Sequence, residues 1–316
     1  MSKVSRREFV KTTALAPLAA APFSLSAQAL QEDRFDIVVA GAGHNSMITA
    51  AYLAKAGHRC LLLEGRPIVG GGVKTAELTL KGFKDDVCST SHAFLLDNPM
   101  IKNDELPLRD YGLEYIDPDP IFHVPFADGS YLTQWRDVDR TCDEFGKFSR
   151  KDGAAYRQML SEFDSIKPTV MGASFTPIGF AKPLNDQLGP LPRGKLWQRR
   201  MAMSAWEIVR DTFEDEHSRT FLLFMAHLAA EPPDAPMTGR LAYGAARQQH
   251  SGRPIPKGGS GVLTQALARF IEAHGGVLLT NKWVKRLIVE NGRCVGVECS
   301  DGSSYRAQKE IGRAHV

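Results

Sequence analysis

The stretch Phe35-Asp36-Ile37-Val38-Val39-Ala40-Gly41-Ala42-Gly43-His44-Asn45-Ser46 decides the fold. Its first half is a short β-branched and apolar run, which predicts a strand. Two glycines follow, and from Ser46 to Ala56 the chain is rich in Ala, Leu and Met and predicts a helix that Gly57 stops. Arg59 to Leu63 is a second apolar run, so the order is strand, glycine turn, helix, strand, a βαβ unit. Gly41 permits the tight turn, and Gly43 lets the backbone approach a pyrophosphate seated on the helix N-terminus. Ser46 stands where a third glycine would serve helix-on-strand packing, and it is small enough for that task. Ala42, His44 and Asn45 complete the turn, with His44 a candidate cofactor contact.

Glu64 ends the second strand about 20 residues after Gly43, the place at which an acid accepts hydrogen bonds from adenosine ribose hydroxyls. An acid there disfavours the additional phosphate of NADP. Arg66, the doublet Gly70-Gly71 and Thr75 come next. A plain NAD site does not require them, but they fit a second strip of backbone and charge around the diphosphate of FAD.

Working outward, His123 to Trp135 predicts a hairpin turning at Asp128-Gly129. Helices are expected over Asp137–Phe148, Ala154–Lys167, Leu196–Phe213 and Ser218–Ala230, with a Pro- and Gly-rich interval, Met171–Arg200, among them. The pattern then returns to α/β. A helix over Gly261–His274 precedes a strand over Val277–Thr280 and a meander over Val284–Ala307, with turns at Asn291-Gly292 and Asp301-Gly302.

Gly41 to Gly57 (Gly-Ala-Gly-His-Asn-Ser-x5-Tyr-Leu-Ala-x-Ala-Gly) with Leu63 to Gly71 (Leu-Glu-x-Arg-x3-Gly-Gly) resembles the phytoene desaturase superfamily of FAD-dependent oxidoreductases. The likeness is to its phytoene-dehydrogenase-like branch, which includes the pyridine nucleotide-disulphide oxidoreductase domain proteins. Gly82-Phe83, Cys88-Ser89, Asp128-Gly129-x-Tyr131, Gly258-Gly259 and Gly292-Arg293-x-x-Gly296-Val297 are similar to that branch as well.

The resemblance implies an α/β fold: a Rossmann-type, glutathione-reductase-like FAD-binding domain interrupted by a mostly helical substrate lobe. On that reading the FAD domain takes residues 30–89 and 258–310, and the lobe takes 90–257. The backbone of Val284 would lie against the adenine. The flavin would carry the chemistry, removing hydrogen from a small, apolar or unsaturated substrate and passing electrons to an acceptor that the sequence does not identify. A flavin amine oxidase and a non-catalytic flavin-binding scaffold are the alternatives. No catalytic acid–base pair stands out from spacing.

The 316 residues include 43% apolar and 24% charged residues, enough for a sizeable core. The net charge of +3 is matched by Lys3, Arg6, Arg7 and Lys11 against Glu8, so the remainder is neutral and nucleic acid is not an expected partner. Five cysteines without CxxC spacing signal neither a disulfide framework nor a metal site.

At the start, Ser5-Arg6-Arg7-Glu8-Phe9-Val10-Lys11, an apolar stretch broken by Pro17 and Pro22, and Ala27-Gln28-Ala29 resemble a twin-arginine export signal. Residues 1–29 are therefore expected to engage the twin-arginine translocase and deliver a folded protein to the periplasm. At the other end, Ile311 to Val316 reverse-translates to a widely used sequencing adapter. Residues 311–316 are accordingly expected to be adapter-derived, with the natural chain continuing beyond Lys309 or Glu310.

Other reactive side chains have plainer readings. His92 is expected to be structural, Cys88 a buried small residue, and His227 a core histidine within Phe221–Leu228. Trp197 with Arg193, Lys195, Arg199 and Arg200 reads as a solvated helix face, with peripheral membrane contact as the alternative.

Overall fold

The structure, a computed structural model, describes residues 35–177 and 179–312. The expected export signal and residues 313–316 lie outside the described residues. In chain order the elements are β1 (Phe35–Ala40), α1 (His44–Lys55), β2 (Cys60–Leu63), β3 (Thr75–Ala76), β4 (Asp85–Asp86), α2 (Ala93–Leu96), α3 (Pro99–Lys102), β5 (Tyr115–Ile116), β6 (Phe122–Pro125) and β7 (Tyr131–Gln134). Helices α4 (Val138–Phe148), α5 (Arg150–Ser174), α6 (Leu184–Leu188), α7 (Gly194–Ala202), α8 (Ala205–Thr212) and α9 (Glu216–His227) follow. A 3-10 turn over Gly239–Tyr243 leads into α10 (Gly244–Ser251), β8 (Ile255–Pro256), α11 (Gly261–Ala273), β9 (Val277–Leu279), β10 (Val284–Glu290), β11 (Arg293–Cys299) and β12 (Ser304–Gly312).

The main sheet has the order β10-β11-β12-β1-β2-β9. β12, β1, β2 and β9 run parallel, while β10 and β11 extend the sheet antiparallel. From β1 the chain moves to β2 and later to β9 on one side, and β12 occupies the other side of β1. The order therefore reverses at β1, and a crevice opens beyond its carboxyl end, where Gly41 begins. β12 serves two partners: Ser304–Arg306 pair with β11, and Ala307–Gly312 pair with β1.

β2 is apolar throughout, and β1 is so apart from Asp36, because both faces are covered. Ile37, Val39 and Leu62 join Met47, Ala50, Leu263, Leu267 and Phe270 in one core, and Val38, Leu61 and Leu63 join Val277 and Val297 in another. Met100, Leu106, Leu108 and Leu113 also pack in the first of these, so chain beyond residue 90 still belongs to the sheet side.

A third core, from Leu132 to Ala246, fills the helical region. Phe145 stacks on Tyr156 with ring centroids 4.4 Å apart, and Trp197 is fully buried beside Tyr243. Gln134 donates to the Tyr156 hydroxyl and to the Ala245 carbonyl, both at 2.8 Å, and Tyr156 donates to Gln249 Oε1 at 3.0 Å. This polar knot, in which Gln134 Oε1 is left without a partner, ties the β6–β7 hairpin to α5 and α10. The chain enters and leaves this region through one seam, where β5 pairs antiparallel with β8, Tyr115 opposite Pro256.

Two expectations shift in detail. The helix expected over Ala154–Lys167 runs from Arg150 to Ser174, straight through Pro168. The single helix expected over Leu196–Phe213 is two helices, because Ser204 and Glu207 form a capping box that starts a new one at Ala205.

Candidate cofactor site

Each piece of the site grows from the carboxyl ends of β1 and β2. Gly41 adopts φ +91°, a left-handed conformation that glycine takes without strain, and its N–H donates to the Leu63 carbonyl at 2.7 Å. Ala42 follows, buried, and Gly43 caps α1. Gly43 has ordinary extended dihedrals, φ −72° and ψ 160°, and an added Cβ would meet nothing within 4 Å. Neither conformation nor internal packing therefore demands glycine at 43.

The helix behind Gly43 is suited to an anion. It has no side-chain cap and no acid in its first turn, so its leading N–H groups and the positive end of its dipole face the crevice. His44 and Ser46 are half-buried there and Asn45 is exposed. Burial lowers the pKa of His44, and a hydrogen bond with the Gly70 backbone opposes the shift only in part, which favours the neutral ring.

Glu64 closes the turn from the next strand. Its Oε2 accepts the Ala42 N–H at 2.9 Å and its Oε1 accepts the Arg66 N–H, also at 2.9 Å. Each oxygen retains acceptor capacity for a ribose hydroxyl. The Glu64 carbonyl accepts the Lys282 N–H at 2.8 Å, which brings Val284 and the start of β10 to the same end of the sheet. Trp283 covers this corner: a Cβ on Gly65 would sit 2.3 Å from its indole. The Arg66 side chain is exposed with no ion-pair partner among the described residues.

The glycine doublet brings a second strand of backbone to the first turn. Gly70 donates to the Ala42 carbonyl at 2.8 Å and forms a parallel bridge with Gly43. Gly70 has φ +116°, and a Cβ there would sit 2.1 Å from the Val73 carbonyl oxygen. One on Gly71 would lie 3.2 Å from the Gly43 Cα. The residues from Gly41 to Ser46 and Glu64, Gly70, Gly71 and Val284 thus converge, and the open space over Gly43 fits the diphosphate of FAD.

Thr75 is engaged elsewhere. Its hydroxyl donates to Asp86 Oδ1 at 2.7 Å and accepts the Gly261 N–H at 2.9 Å, locking the glycine loop to the start of α11. His92 is 5% exposed, with Nδ1 3.0 Å from the Tyr115 hydroxyl and Nε2 2.7 Å from Ser260 Oγ. Burial holds its pKa down to about 4, so it is a neutral structural histidine.

Three readings of single side chains are corrected. Cys88 is exposed, because the chain after β4 runs over the surface beside Gly72. His227 is exposed as well, because α9 ends on it after its apolar face has passed. Trp197 presents no surface, since it fills the helical core; Arg193 and Arg200 are both paired with Glu162, at 3.0 and 2.5 Å. The indole is thus a packing element, while Arg193, Lys195 and Arg199 remain exposed. No described helix is long and apolar enough to cross a membrane, and no cluster of His, Cys, Asp and Glu among the described residues could hold a metal.

A large cavity, which sequence spacing does not signal, lies in the helical region. It has a volume of about 700 Å³ and mainly apolar walls. Thr90 and Ser91 line it, directly after Ser89, whose N–H donates to the Gly72 carbonyl at 3.2 Å. The glycine loop and the cavity are thus successive stations along one short segment.

Comparison with known proteins places this geometry. The chain is 28% identical over 270 residues to a limonene dehydrogenase subunit of Castellaniella defragrans, covering 83% of this chain and 47% of that protein. It is 27% identical over 313 residues to pyridine nucleotide-disulfide oxidoreductase domain-containing protein 2 of Rattus norvegicus, covering 87% and 52%. Against the lycopene-forming phytoene desaturase of Pantoea ananas it is 25% identical over 284 residues, covering 88% and 55%. The chain spans about half the length of these curated relatives. Its fold is similar to that of an oxidoreductase from Methanosarcina mazei, with a TM-score of 0.55 at 19% identity over 88% of this chain and 58% of that one. Residues 47–311 match the flavin containing amine oxidoreductase family, and the chain belongs to that family.

Proposed function

We propose that this chain contributes the FAD cradle and a substrate cavity to an oxidoreductase that dehydrogenates an apolar or unsaturated small molecule. The single observation that carries the cofactor half is Gly43, a glycine that the fold does not need but a close-lying diphosphate does. The sheet side is read as a Rossmann-type, glutathione-reductase-like FAD domain and the helical region as the substrate lobe. When bound, FAD supplies a two-electron acceptor for hydride removed from the substrate. Gly41 to Ser46, Gly70 and Gly71 hold the diphosphate, Glu64 orients the ribose, and Val284 backs the adenine. The apolar cavity excludes water and presents the substrate.

The relatives named for limonene and phytoene support an apolar substrate. An amine oxidase reading is less well supported. Arg240, Arg247 and Arg253 line the cavity and, among the described residues, no carboxylate does, which disfavours an ammonium ion. The electron acceptor would be a separate molecule. Anaerobic mixing of the flavin-loaded protein with limonene, with phytoene and with putrescine tests the proposal. Bleaching of the flavin by a hydrocarbon is the expected result. Bleaching by the amine alone would move the protein to the amine oxidases, and a flavin that no candidate reduces would favour the scaffold reading.

We also propose that residues 1–29 are a twin-arginine signal that sends the folded, cofactor-loaded protein to the periplasm. Replacing Arg6 and Arg7 together by Lys should leave it in the cytoplasm, as fractionation would show. Periplasmic delivery of that variant at the original level would refute the export reading.

A further inference from the structure

The cavity between α5, α9, α10 and the Gly239–Tyr243 turn is apolar along most of its wall, with Phe94, Phe163, Val170, Leu184, Met225 and Leu241 contributing. At about 700 Å³ it falls within the size range of small-molecule sites. Its three arginines are engaged unequally. Arg240 is paired with Glu231 at 2.5 Å. Arg247 and Arg253 have no carboxylate within ion-pair distance among the described residues and lie over aromatic rings. Arg247 is 5.5 Å from the centroid of Phe94, and Arg253 is 4.6 Å from that of Phe122.

Arg247 is sunk deeply enough that burial lowers its pKa, an effect that Asp97 opposes only in part. Asp97 itself accepts a hydrogen bond from Ser251 at 3.3 Å. Gln248, the next residue, is 9% exposed and lines the same cavity, and its Oε1 is buried with no hydrogen-bond partner.

A half-buried guanidinium that makes no ion pair and a buried amide oxygen without a partner both cost free energy until a ligand meets them. A pure hydrocarbon would fill the apolar walls and leave both groups unmet, and an ammonium ion would add repulsion. A carboxylate satisfies the guanidinium fork in plane, with two parallel hydrogen bonds, and the amide can be turned over to donate its NH2 to the same group. We infer that the cavity binds an elongated apolar carboxylate, such as a long-chain or isoprenoid acid, with its head on Arg247 and Gln248 and its chain along the apolar wall. This deepens the proposed function and rests on reading the cavity as its substrate site.

cis-Parinaric acid, a fluorescent polyene acid, and its methyl ester provide the test, with FAD content measured on the same samples by absorbance. The flavin-loaded protein should bind the acid about tenfold or more tightly than the ester. Arg247→Met should remove that preference while leaving ester affinity and FAD content in place, and Arg247→Lys should restore part of it. Equal affinities for acid and ester, or a preference that survives Arg247→Met, would overturn the inference. The comparison on the unmodified protein decides the matter even if Arg247→Met does not fold. Acid selectivity in a protein that carries no FAD would uphold the carboxylate site and defeat the flavin reading. Bound FAD without acid selectivity would do the reverse.

Discussion

The carboxylate of Glu64 accepts the backbone N–H of Ala42 at 2.9 Å, so the residue that ends β2 holds the turn that ends β1. Its other oxygen holds Arg66 N–H, and its carbonyl holds Lys282 N–H. One side chain and its own peptide therefore fasten three segments of the cofactor crevice.

Glu64→Ala should lose these charge-assisted bonds and cost about 1–3 kcal/mol in stability, with FAD weakened about tenfold or more. Glu64→Gln, which keeps one acceptor oxygen, should fall between the two. Thermal melts of the apoprotein and the flavin-to-protein ratio after gel filtration would show it. An unchanged ratio for Glu64→Ala would remove Glu64 from the cofactor site.

Gly43 and Gly70 should respond in opposite ways. Gly43→Ser places a good N-cap side chain on an uncapped helix in an ordinary backbone conformation. The apoprotein should be as stable as the original or slightly more so, yet bind FAD poorly because the hydroxymethyl group enters the diphosphate space. Gly70→Ala drives a Cβ to 2.1 Å from the Val73 carbonyl at φ +116°, so the fold itself should weaken. Urea unfolding of both apoproteins alongside FAD titration separates the two effects. Loss of stability in Gly43→Ser would mean that the glycine serves the fold after all.

Two histidines should tilt the pH dependence of stability in opposite directions. Burial depresses His92, so its contribution is present above the unfolded value of 6.5 and is lost as pH falls toward about 4. Burial also pulls on His217, but its bonds to Asp215 and Asp128, both at 3.0 Å, outweigh that and raise its pKa. Its contribution is present below 6.5 and is lost as pH rises through the raised value. The gap in melting temperature between the original protein and His217→Gln should therefore narrow on going from about pH 6 to about pH 8. For His92→Gln the gap should narrow on acidification. A gap that moves the other way in either variant would refute the corresponding assignment.

Tyr156→Phe should cost about 1–3 kcal/mol, because it removes the hydroxyl that joins Gln134 to Gln249 in a dry core and leaves Gln249 Oε1 only the longer, 3.4 Å bond from Gln134. Denaturant unfolding would measure it, and a neutral outcome would mean that water takes the place of the hydroxyl.

Most of the cofactor crevice is legible in the sequence because its residues act through backbone geometry that local sequence encodes. Gly41, Gly43 and Gly70-Gly71 are such positions, and Glu64 announces itself by ending an apolar run at the right separation. What local sequence does not encode is who packs on whom. Trp197 reads as surface beside its arginines, yet Glu162, more than 30 residues earlier, takes two of them and the core takes the indole. Cys88 reads as internal because a small free cysteine is usually buried, and His227 because its neighbours are apolar, but exposure depends on where a helix stops and on which side a loop passes. Arg247 and Gln248 give no signal, since a half-buried cation that makes no ion pair is visible only when every possible partner has been placed in space.

The β5–β8 pair makes the whole helical region, seen from the sheet, the loop of one hairpin. A segment that joins its host through a single two-stranded neck can be lengthened, shortened or exchanged without altering the register in which β1, β2, β9 and β12 present their glycines. Substrate range can then drift while the nucleotide grip stays constant, and a grafted lobe need only supply two strands that zip together opposite each other.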